Sequence, residues 1–377
     1  MASRVLITGG AGFIGSRLAN RFADAGFDVT VLDALIAQVH GDDPESSPLV
    51  ASLHDAVTLI RGSVCSFDDL RRAAKDAEIV VHMAAETGTG QSMYEIDRYT
   101  QANVGGTAKL LQVLAEDGGT ARRIVVASSR SIYGEGAYRT ADGRLVYPPH
   151  RADADMARGD FEVYLPDGQA VASVPTTEDA TLHPSSVYGI TKHAQEALVM
   201  TVAPTLGIEP VTLRYQNVYG PGQSLTNPYT GILSIFSTLI RQGKEINIFE
   251  DGEESRDFVY IDDVVDATFL AATKDGVGGA VLNVGSGVGT TVHEVVAALF
   301  EAFGRSVPTR VSGNYRLGDI RHNVADTTRL RERLGFVPSV SFTEGVRRFV
   351  EWVDGEPIGG DAYSSSLREM ASRNLLK

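Results

Sequence analysis

The feature that most constrains the fold of this chain is a short apolar run that leads through closely spaced glycines into an amphipathic stretch. Residues 4–8 are largely apolar and rich in β-branched side chains, and residues 9–15 read GGAGFIG. The apolar side chains of residues 13–25 then recur at helical spacing. This order predicts a strand, a tight glycine turn and a helix.

The alternation of strand and helix patterns continues through the first half of the chain. Such alternation indicates an α/β fold in which helices cover both faces of a parallel sheet. We therefore expect a Rossmann-type doubly wound parallel sheet. In chain order, further strands and helices are predicted at residues 29–32, 67–74, 79–83, 101–114, 123–128, 185–201 and 211–215.

Residues 135–182 interrupt this alternation with turn-forming and charged residues. A structureless loop of that length is uncommon inside a compact domain. Residues 161–165 and 169–174 flank a Pro-Asp-Gly turn in the manner of a small β-hairpin. We interpret the segment as an ordered insertion that covers a site, with a disordered insertion as the alternative.

A smaller mixed α/β lobe that binds the substrate is expected after Gly220, where the alternation weakens. Helical patterns remain there at residues 232–241, 292–303 and 342–352. The predicted division assigns residues 1–211 plus about 258–285 to the Rossmann domain, and residues 212–257 plus 286–377 to the substrate lobe.

Charge and cysteine content exclude several classes of partner. The net charge of −14 is spread along the 377 residues, so nucleic acid is not expected to bind, although a locally basic pocket for a small anion is compatible with this charge. The single cysteine, Cys65, allows no intrachain disulfide, and no cluster of side chains resembles a metal site. No signal-peptide or membrane-spanning pattern is visible, so we expect a soluble cytoplasmic protein that does not contact a membrane.

Three glycines and one acidic residue predict a dinucleotide site. Gly9, Gly12 and Gly15 lie where glycine lets the backbone approach a pyrophosphate at a helix N-terminus. Asp33 ends the second predicted strand, at the distance at which a carboxylate bonds both ribose hydroxyls of an adenosine. A carboxylate there repels a 2′-phosphate, and the next two residues offer no arginine to bind one. NAD is therefore predicted in preference to NADP.

A tyrosine, a lysine and a serine form a candidate catalytic group. Tyr188 and Lys192, in the sequence YGITK, are one helical turn apart and face the same side of the predicted helix. Ser129 follows a predicted strand at the carboxyl edge, where open α/β sheets bind ligands. A free tyrosine has a pKa of about 10, so proton transfer at neutral pH needs a nearby cation, which Lys192 and an oxidised nicotinamide could supply. The serine hydroxyl would hold the substrate oxygen.

The glycine turn, Asp33, the strand-end serine and YGITK, in this order, resemble the extended short-chain dehydrogenase/reductase family, in particular its nucleotide-sugar epimerase/dehydratase group. The likeness runs from residue 4 to about residue 352 and implies that Ser129, Tyr188 and Lys192 are catalytic. After the third strand this group usually has an Asp or Asn that meets the adenine, whereas this sequence has a serine. The residues that the resemblance assigns to the NAD site are Gly9, Gly12, Phe13, Ile14, Gly15, Asp33, Ser63, Val64, Ala84, Ala85, Tyr188, Lys192 and Tyr215.

The same resemblance implies a nucleotide-diphosphate sugar as substrate. Asn217 matches an asparagine that contacts the diphosphate, and Arg256 and Arg316 match arginines that clamp it, a role suited to the planar fork of guanidinium. Taken alone, each arginine would be interpreted as part of a surface ion pair. Asn247 and Phe249 match a segment along the base, with a core strand as the alternative for Phe249. The predicted substrate contacts are Glu86, Arg130, Asn217, Asn247, Phe249, Arg256 and Arg316.

Two residues bear on the reaction type. The 4,6-dehydratases of this group carry an Asp-Glu pair directly after the catalytic hydroxyl residue, where this sequence has Arg130 and Ser131. Elimination of water therefore lacks its acid and base, and oxidation and reduction at a carbinol carbon remain.

Three further features resemble most the branch of the group that includes dTDP-L-rhamnose 4-epimerases. They are residues 86–96, Gln216 and the sequence Asn-Pro-Tyr at 227–229. We predict an NAD-dependent epimerase that acts at C4 of a dTDP-6-deoxyhexose through a 4-keto intermediate. The alternatives are an NAD(P)H-dependent reductase of a dTDP-4-keto-6-deoxyhexose and a non-catalytic dinucleotide sensor. The resemblance also implies a homodimer in which helices near residues 100–115 and 185–201 pair across a twofold axis.

Overall fold

A seven-stranded parallel sheet forms the centre of the protein. The structure is a computed structural model that describes residues 2–116, 120–227, 231–358 and 362–377. All neighbouring strands of the sheet run parallel, which confirms the predicted doubly wound α/β fold. From one edge to the other, the strands are Val281–Val284, Glu209–Tyr215, Arg123–Ser129, Ile79–His82, Arg4–Thr8, Asp28–Asp33 and Thr58–Arg61.

Side chains of the central strands alternate between two buried clusters, one on each face of the sheet. In the first strand, Val5 and Ile7 belong to one cluster and Leu6 to the other. Helices Phe13–Asp24 and Ile261–Thr273 cover the first face. Because both faces are covered, the central strands are almost continuously apolar. The second face is covered by helices Phe67–Ala74, Gly106–Glu116 and Val187–Val202.

Shorter strands form the predicted mixed α/β lobe. The strand Ser255–Tyr260 pairs parallel with Asn217–Tyr219 and His322–Asn323 and antiparallel with Gly289–Thr291. The domain division stays a prediction, and its boundary at residue 211 falls inside a strand of the central sheet. A separate parallel pair consists of Ile246–Ile248 and Thr309–Val311.

The insertion contains a small antiparallel sheet. Its middle strand, Tyr138–Thr140, pairs with Leu145–Val146 and Val171–Ser173. At the predicted hairpin, the backbone N–H of Leu165 donates to the carbonyl of Gln169 at 3.0 Å. The predicted turn is therefore present. The second arm of the hairpin, however, pairs mainly with Tyr138–Thr140, because that strand offers it a longer run of partners.

Several helices begin at capping side chains that the sequence supplies. The hydroxyl of Ser186 accepts a hydrogen bond from the backbone N–H of Gly189 at 3.1 Å, and Thr291 and Glu294 form a reciprocal capping box. None of the helices in the described part of the chain is long and apolar enough to cross a membrane. The remaining helical segments are Ala37–His40, Pro44–Ser46, Pro48–Ala51, Thr89–Ser92, Ile96–Tyr99, Thr100–Gly105, Arg130–Ile132, Asp153–Met156, Ala203–Leu206, Ile232–Gln242, Val292–Phe303, Thr328–Leu334, Phe342–Gly355 and Ala362–Ser372.

Candidate active site

The turn after the first strand requires glycine at several positions for its own packing, among them Gly9 and Gly15. Gly9 has a φ of +68°, and a Cβ there would lie 2.8 Å from the backbone nitrogen of Ala84. A Cβ on Gly15 would lie 2.2 Å from the carbonyl oxygen of Gly9. Gly12 differs, because its φ is −76° and the nearest atom to a Cβ would be 3.4 Å away. The packing of the protein does not require glycine at position 12, whereas an anionic group against the helix N-terminus would.

Asp33 is fixed beside this turn. Its two carboxylate oxygens accept hydrogen bonds from the backbone N–H groups of Ala11 at 3.0 Å and Leu35 at 2.9 Å. The helix Phe13–Asp24 has neither a side-chain cap nor an acidic residue in its first turn. The turn, the positive end of this helix and Asp33 therefore fit the pyrophosphate and ribose of NAD.

The other predicted cofactor contacts surround the same edge of the sheet. Ala84 donates its backbone N–H to the Thr8 hydroxyl at 3.3 Å. The hydroxyl of Ser63 accepts a hydrogen bond from the backbone N–H of Cys65 at 3.1 Å. Tyr215 ends its strand, but its hydroxyl shares a hydrogen bond of 2.8 Å with Thr268 in the core. Tyr215 therefore offers its ring to the site and not its hydroxyl. The predicted contacts not yet placed are the half-buried Phe13, Ile14 and Ala85 and the buried Val64.

Ser129 and Tyr188 meet at the carboxyl end of the central sheet. Ser129 is the last residue of its strand, and Tyr188 lies in the first turn of its helix. The backbone N–H of Tyr188 donates to the Ser92 hydroxyl at 3.0 Å, which fixes the start of the helix. Burial raises the pKa of Tyr188, while a hydrogen bond with Ser129 and the charge of Arg130 act to lower it.

Lys192 is buried on the same helix and is held by a side chain that the sequence analysis did not single out. Its Nζ donates to Oε1 of Gln195 at 2.8 Å, and Nε2 of Gln195 donates to the Thr107 hydroxyl at 2.9 Å. Burial lowers the pKa of Lys192 to about 7. The charge of Arg130 also acts on Tyr188, and the role expected of Lys192 stays a prediction.

Tyr188 lines a cavity of about 300 Å³, a size within the range of small-molecule sites. Nε of Arg130 donates to Oδ1 of Asn217 across this cavity at 3.0 Å. Burial, and after it the charge of Arg256, lower the pKa of Arg130 to about 10, so its guanidinium stays charged at neutral pH. The cavity also brings together six of the seven predicted substrate contacts, namely Arg130, Asn217, Asn247, Phe249, Arg256 and Arg316.

Asp319 organises two of these arginines on one wall of the cavity. Arg256 donates to Oδ1 of Asp319 at 2.8 Å and also to the backbone carbonyl of Ile320 at 2.7 Å. Nε of Arg316 lies 3.7 Å from the other carboxylate oxygen, and its guanidinium lies 5.4 Å over the ring of Phe249. Burial raises the pKa of Asp319, but the charges of Arg256 and then Arg316 outweigh it and hold that pKa well below its usual range. With Arg130, this wall presents three guanidiniums to an anion.

Glu86 is the predicted substrate contact that does not line the cavity. Its Oε2 accepts a hydrogen bond from Arg98 at 2.7 Å, and its backbone N–H donates to Asn103 at 2.7 Å. These contacts turn the carboxylate toward Arg98 and anchor the start of the segment of residues 86–96. The cavity is reached from this segment by Gly88, Thr89 and Gly90 instead.

The chain matches the NAD dependent epimerase/dehydratase family over residues 5–152 and 162–285. It belongs to this family. It is 36% identical over 94% of its length to a dTDP-L-rhamnose 4-epimerase of Burkholderia thailandensis, of which it covers 95%. It also resembles the structure of a Thermotoga maritima UDP-glucose 4-epimerase with UDP-glucose, with 30% identity, a TM-score of 0.75 and coverage of 93% and 99% of the two chains. A Bacillus cereus UDP-glucuronic acid 4-epimerase in complex with UDP-glucuronic acid and NAD gives 25% identity, a TM-score of 0.76 and coverage of 93% and 99%.

The predicted resemblance, an NAD-dependent enzyme of the epimerase/dehydratase group, is confirmed by this membership. NAD is accordingly its cofactor, as Asp33 predicted. The matched ranges contain the glycine turn, Ser129, Tyr188 and Lys192, and so include the whole of the dinucleotide edge described above.

The structure describes only part of the sequence features that resemble one branch of the epimerase/dehydratase family. Gln216 is buried, and neither atom of its amide group has a hydrogen-bond partner in the described part of the chain. Pro228 and Tyr229 lie outside the described residues.

The cavity residues that the sequence analysis missed come from the second lobe and from the last helix. Glu254, Asp319, Tyr363 and Met370 all line the cavity. Oε2 of Glu254 has no hydrogen-bond partner among the described residues, and burial raises the pKa of this carboxyl to about 7. The sequence RLGD could have indicated Asp319, because it sets an acid three residues after Arg316. Tyr363 and Met370 lie beyond the family match and carry no such signal.

The insertion of residues 135–182 does not line this cavity in the described part of the chain, and its covering of the sugar site stays a prediction. It packs behind the arginine wall instead. Arg151 donates to the backbone carbonyl of Asp319 at 3.0 Å, and Tyr315 donates to Oδ1 of Asp153 at 2.7 Å. The insertion thus supports the loop that carries Arg316 and Asp319.

Proposed function

We propose that this protein is an NAD-dependent epimerase that inverts C4 of a dTDP-6-deoxyhexose through a 4-keto intermediate. The observation that carries the proposal is that Tyr188 lines the same cavity as Arg130, Arg256 and Arg316. A hydroxyl able to transfer a proton and guanidiniums suited to a diphosphate therefore face one chamber. The likeness to a dTDP-L-rhamnose 4-epimerase supports dTDP as the nucleotide and a 6-deoxyhexose as the sugar.

In this proposal Tyr188 and Ser129 act on the C4 hydroxyl. The glycine turn and Asp33 would hold NAD, which would supply reversible hydride transfer at C4. Tyr188, as phenolate, takes the hydroxyl proton, and Ser129 holds the oxygen. Because burial raises the pKa of Tyr188, the phenolate needs cations nearby. Arg130 is one, and Lys192 in its charged form is the second.

Inversion requires the sugar ring to present its other face while the nucleotide diphosphate stays bound. Arg256 is suited to a fixed anchor, because its guanidinium is oriented by Asp319 and by backbone carbonyls. Arg316 is 47% exposed in its side chain and more weakly held, so it can follow a phosphate that shifts. Asn217 and Arg130 complete the anchor between this wall and Tyr188.

Redox chemistry at C4 is favoured over elimination of water. Arg130 lines the cavity, and the hydroxyl of Ser131 lies 3.0 Å from that of Ser129. A guanidinium that stays charged and a serine hydroxyl do not supply the carboxyl acid and carboxylate base that dehydration uses.

We further propose that the protein is a homodimer in which helices Gly106–Glu116 and Val187–Val202 pair across a twofold axis. The exposed positions of the first helix include Ala108 and Ala115, and those of the second include Ile190 and Ala197. The small side chains of Ala108, Ala115 and Ala197 allow two helices to approach closely, and the exposed Ile190 would be covered. The cytoplasmic location stays a prediction.

The proposal is tested with dTDP-L-rhamnose that carries deuterium at C4. We expect the epimerised product to retain the label at C4, without added cofactor and without a steady change in nicotinamide absorbance, because the cofactor is restored within each turnover. Tyr188→Phe keeps the ring but lacks the transferable proton, so its turnover should fall by about 10²–10⁴-fold while NAD stays bound.

The opposite result identifies a reductase. Stoichiometric consumption of reduced nicotinamide with a dTDP-4-keto-6-deoxyhexose, together with no epimerisation of any 4-hydroxy sugar, would replace the epimerase proposal.

A further inference from the structure

Residues 363–377 close one side of the cavity, although the family match ends at residue 285. Tyr363 and Met370, both from the helix Ala362–Ser372, line the cavity that also contains Tyr188. Met370 is only 4% exposed, and its Sδ lies 3.3 Å from the place where a Cβ on Gly90 would stand. The helix therefore packs directly on the segment that forms the opposite rim.

The last three residues of this segment pair with the stretch that carries Arg316. The backbone N–H of Tyr315 donates to the carbonyl of Lys377 at 2.9 Å, and the N–H of Lys377 donates back at 3.0 Å. The N–H of Leu317 donates to the carbonyl of Leu375 at 3.1 Å. The backbone on both sides of Arg316 is thus held by residues 375–377.

Two side-chain contacts attach the segment to its surroundings. The guanidinium of Arg373 lies 4.2 Å over the ring of Tyr94, and Nζ of Lys377 lies 2.6 Å from Oδ2 of Asp153. Exposed ion pairs of the second kind are individually weak. The segment is therefore held in place at several points.

We propose that residues 363–377 form a wall of the nucleotide-sugar site and position Arg316 for the substrate diphosphate, an inference that rests on the proposed function. Tyr363 and Met370 would contact the substrate. Residues 375–377 act through the backbone of Arg316 and are positioning residues. Arg316 depends on this support because, among the described residues, its side chain is oriented by a 3.7 Å ion pair with Asp319 and by the face of Phe249.

Two variants separate the wall from the positioning role. Deletion of residues 375–377 removes the backbone bonds beside Arg316 and leaves Tyr363 and Met370 in the chain. Met370→Ala opens the wall and leaves those bonds in place. Arg368→Ala, at an exposed position of the same helix, is the matched control.

Each variant is measured as the full NAD-containing protein, by calorimetric titration with dTDP and by steady-state kinetics with a dTDP-sugar. We expect the deletion to weaken dTDP binding and to raise KM about tenfold, with kcat changed by less than about twofold, because it removes binding common to ground and transition states. Met370→Ala should raise KM severalfold, and Arg368→Ala should leave both constants unchanged. Equal NAD content in all variants, and unfolding temperatures that stay above the assay temperature, exclude general damage.

A second readout uses the unaltered protein. Hydrogen exchange at the amides of Tyr315, Leu317 and Lys377 should slow when dTDP is added and stay the same when NAD is added. Equal dTDP affinity and KM in the deletion and in the control, with no change in hydrogen exchange, would contradict the role proposed for residues 363–377. The proposed epimerase function would be unaffected by that result. If the unaltered protein binds neither dTDP nor UDP, the proposed function fails, and this inference fails with it.

Discussion

At the scale of single residues, the charge of Lys192 depends on the amide that holds it. Lys192 is 2% exposed and Gln195 is fully buried, so water does not solvate the ammonium. Two ionisable groups interact with this charge. Glu196 raises the pKa of Lys192, and Lys192 in turn acts on His82. Burial, and after it the charge of Lys192, lower the pKa of His82 to about 3, so the imidazole is neutral at working pH.

We predict that two substitutions of Gln195 shift the alkaline limb of the kcat/KM profile in opposite directions. Oε1 accepts a hydrogen bond from the ammonium and stabilises its charged form. Gln195→Leu removes this acceptor, so the pKa of Lys192 falls and the charged form is lost at lower pH. Gln195→Glu supplies a carboxylate, so the pKa rises and the limb moves to higher pH. Profiles of both variants that coincide with the unaltered enzyme would show that Gln195 does not set this charge.

Local motifs indicated the candidate catalytic trio because each member lies inside a recognisable pattern. Ser129 ends an apolar strand, and Tyr188 and Lys192 share one helical face. Glu86 stays a predicted substrate contact, but its ion pair with Arg98, across 12 residues, could not be predicted because it leaves no trace in a motif. Gln195 was missed for a related reason, since its partner Thr107 lies 88 residues away.

At the scale of elements, the sequence predicted long segments well and short ones poorly. The observed strand Arg4–Thr8 and the helices Phe67–Ala74 and Val292–Phe303 have the predicted bounds. Strands of two or three residues, such as His322–Asn323, form because they pair with strands that are distant in the sequence. Hydrophobic periodicity does not report such pairing, because so short a run has no measurable period.

A buried ion-pair network joins the insertion to the second lobe. The side chain of Arg151 is 2% exposed and binds both carboxylate oxygens of Glu250, at 2.7 and 2.8 Å. Its Nε lies 3.4 Å from the buried carboxylate of Glu135. The same guanidinium bonds the carbonyl of Asp319, so the network ends directly behind the arginine wall.

We predict that Arg151→Met destabilises the protein by about 3–5 kcal/mol, because it removes the cation shared by the buried carboxylates of Glu250 and Glu135 and leaves Glu250 only the longer, 3.4 Å contact with Arg321. The exposed ion pair of Arg158 with Asp155 provides the control within the same insertion, and Arg158→Met should cost at most about 1 kcal/mol. Chemical denaturation of both variants measures the difference. Equal stabilities of the two variants would mean that the network does not hold the insertion in place.

At the scale of the whole molecule, net charge and local charge have opposite signs. The chain carries a formal charge of −14, yet three arginines, Arg130, Arg256 and Arg316, line one cavity. The acidic side chains among the described lining residues of this cavity are Glu254 and Asp319. Composition correctly left room for an anionic ligand but could not locate it. The motifs around the arginines located the cavity, because they fix which residues the fold brings together.

The exposed faces of two adjacent helices lead to the prediction for the assembled protein. Ala197 and Ala108 are exposed on helices Val187–Val202 and Gly106–Glu116, where the proposed twofold axis would bring each helix against the other subunit. Ala197→Arg adds a long charged side chain to both subunits at once, so the unaltered protein should sediment as a dimer and the variant as a monomer. Ala51→Arg, at an exposed position away from both helices, is the control and should remain dimeric. Sedimentation velocity over a range of concentrations distinguishes the two states. A dimer that survives Ala197→Arg and the corresponding Ala108→Arg would show that the subunits associate through another face.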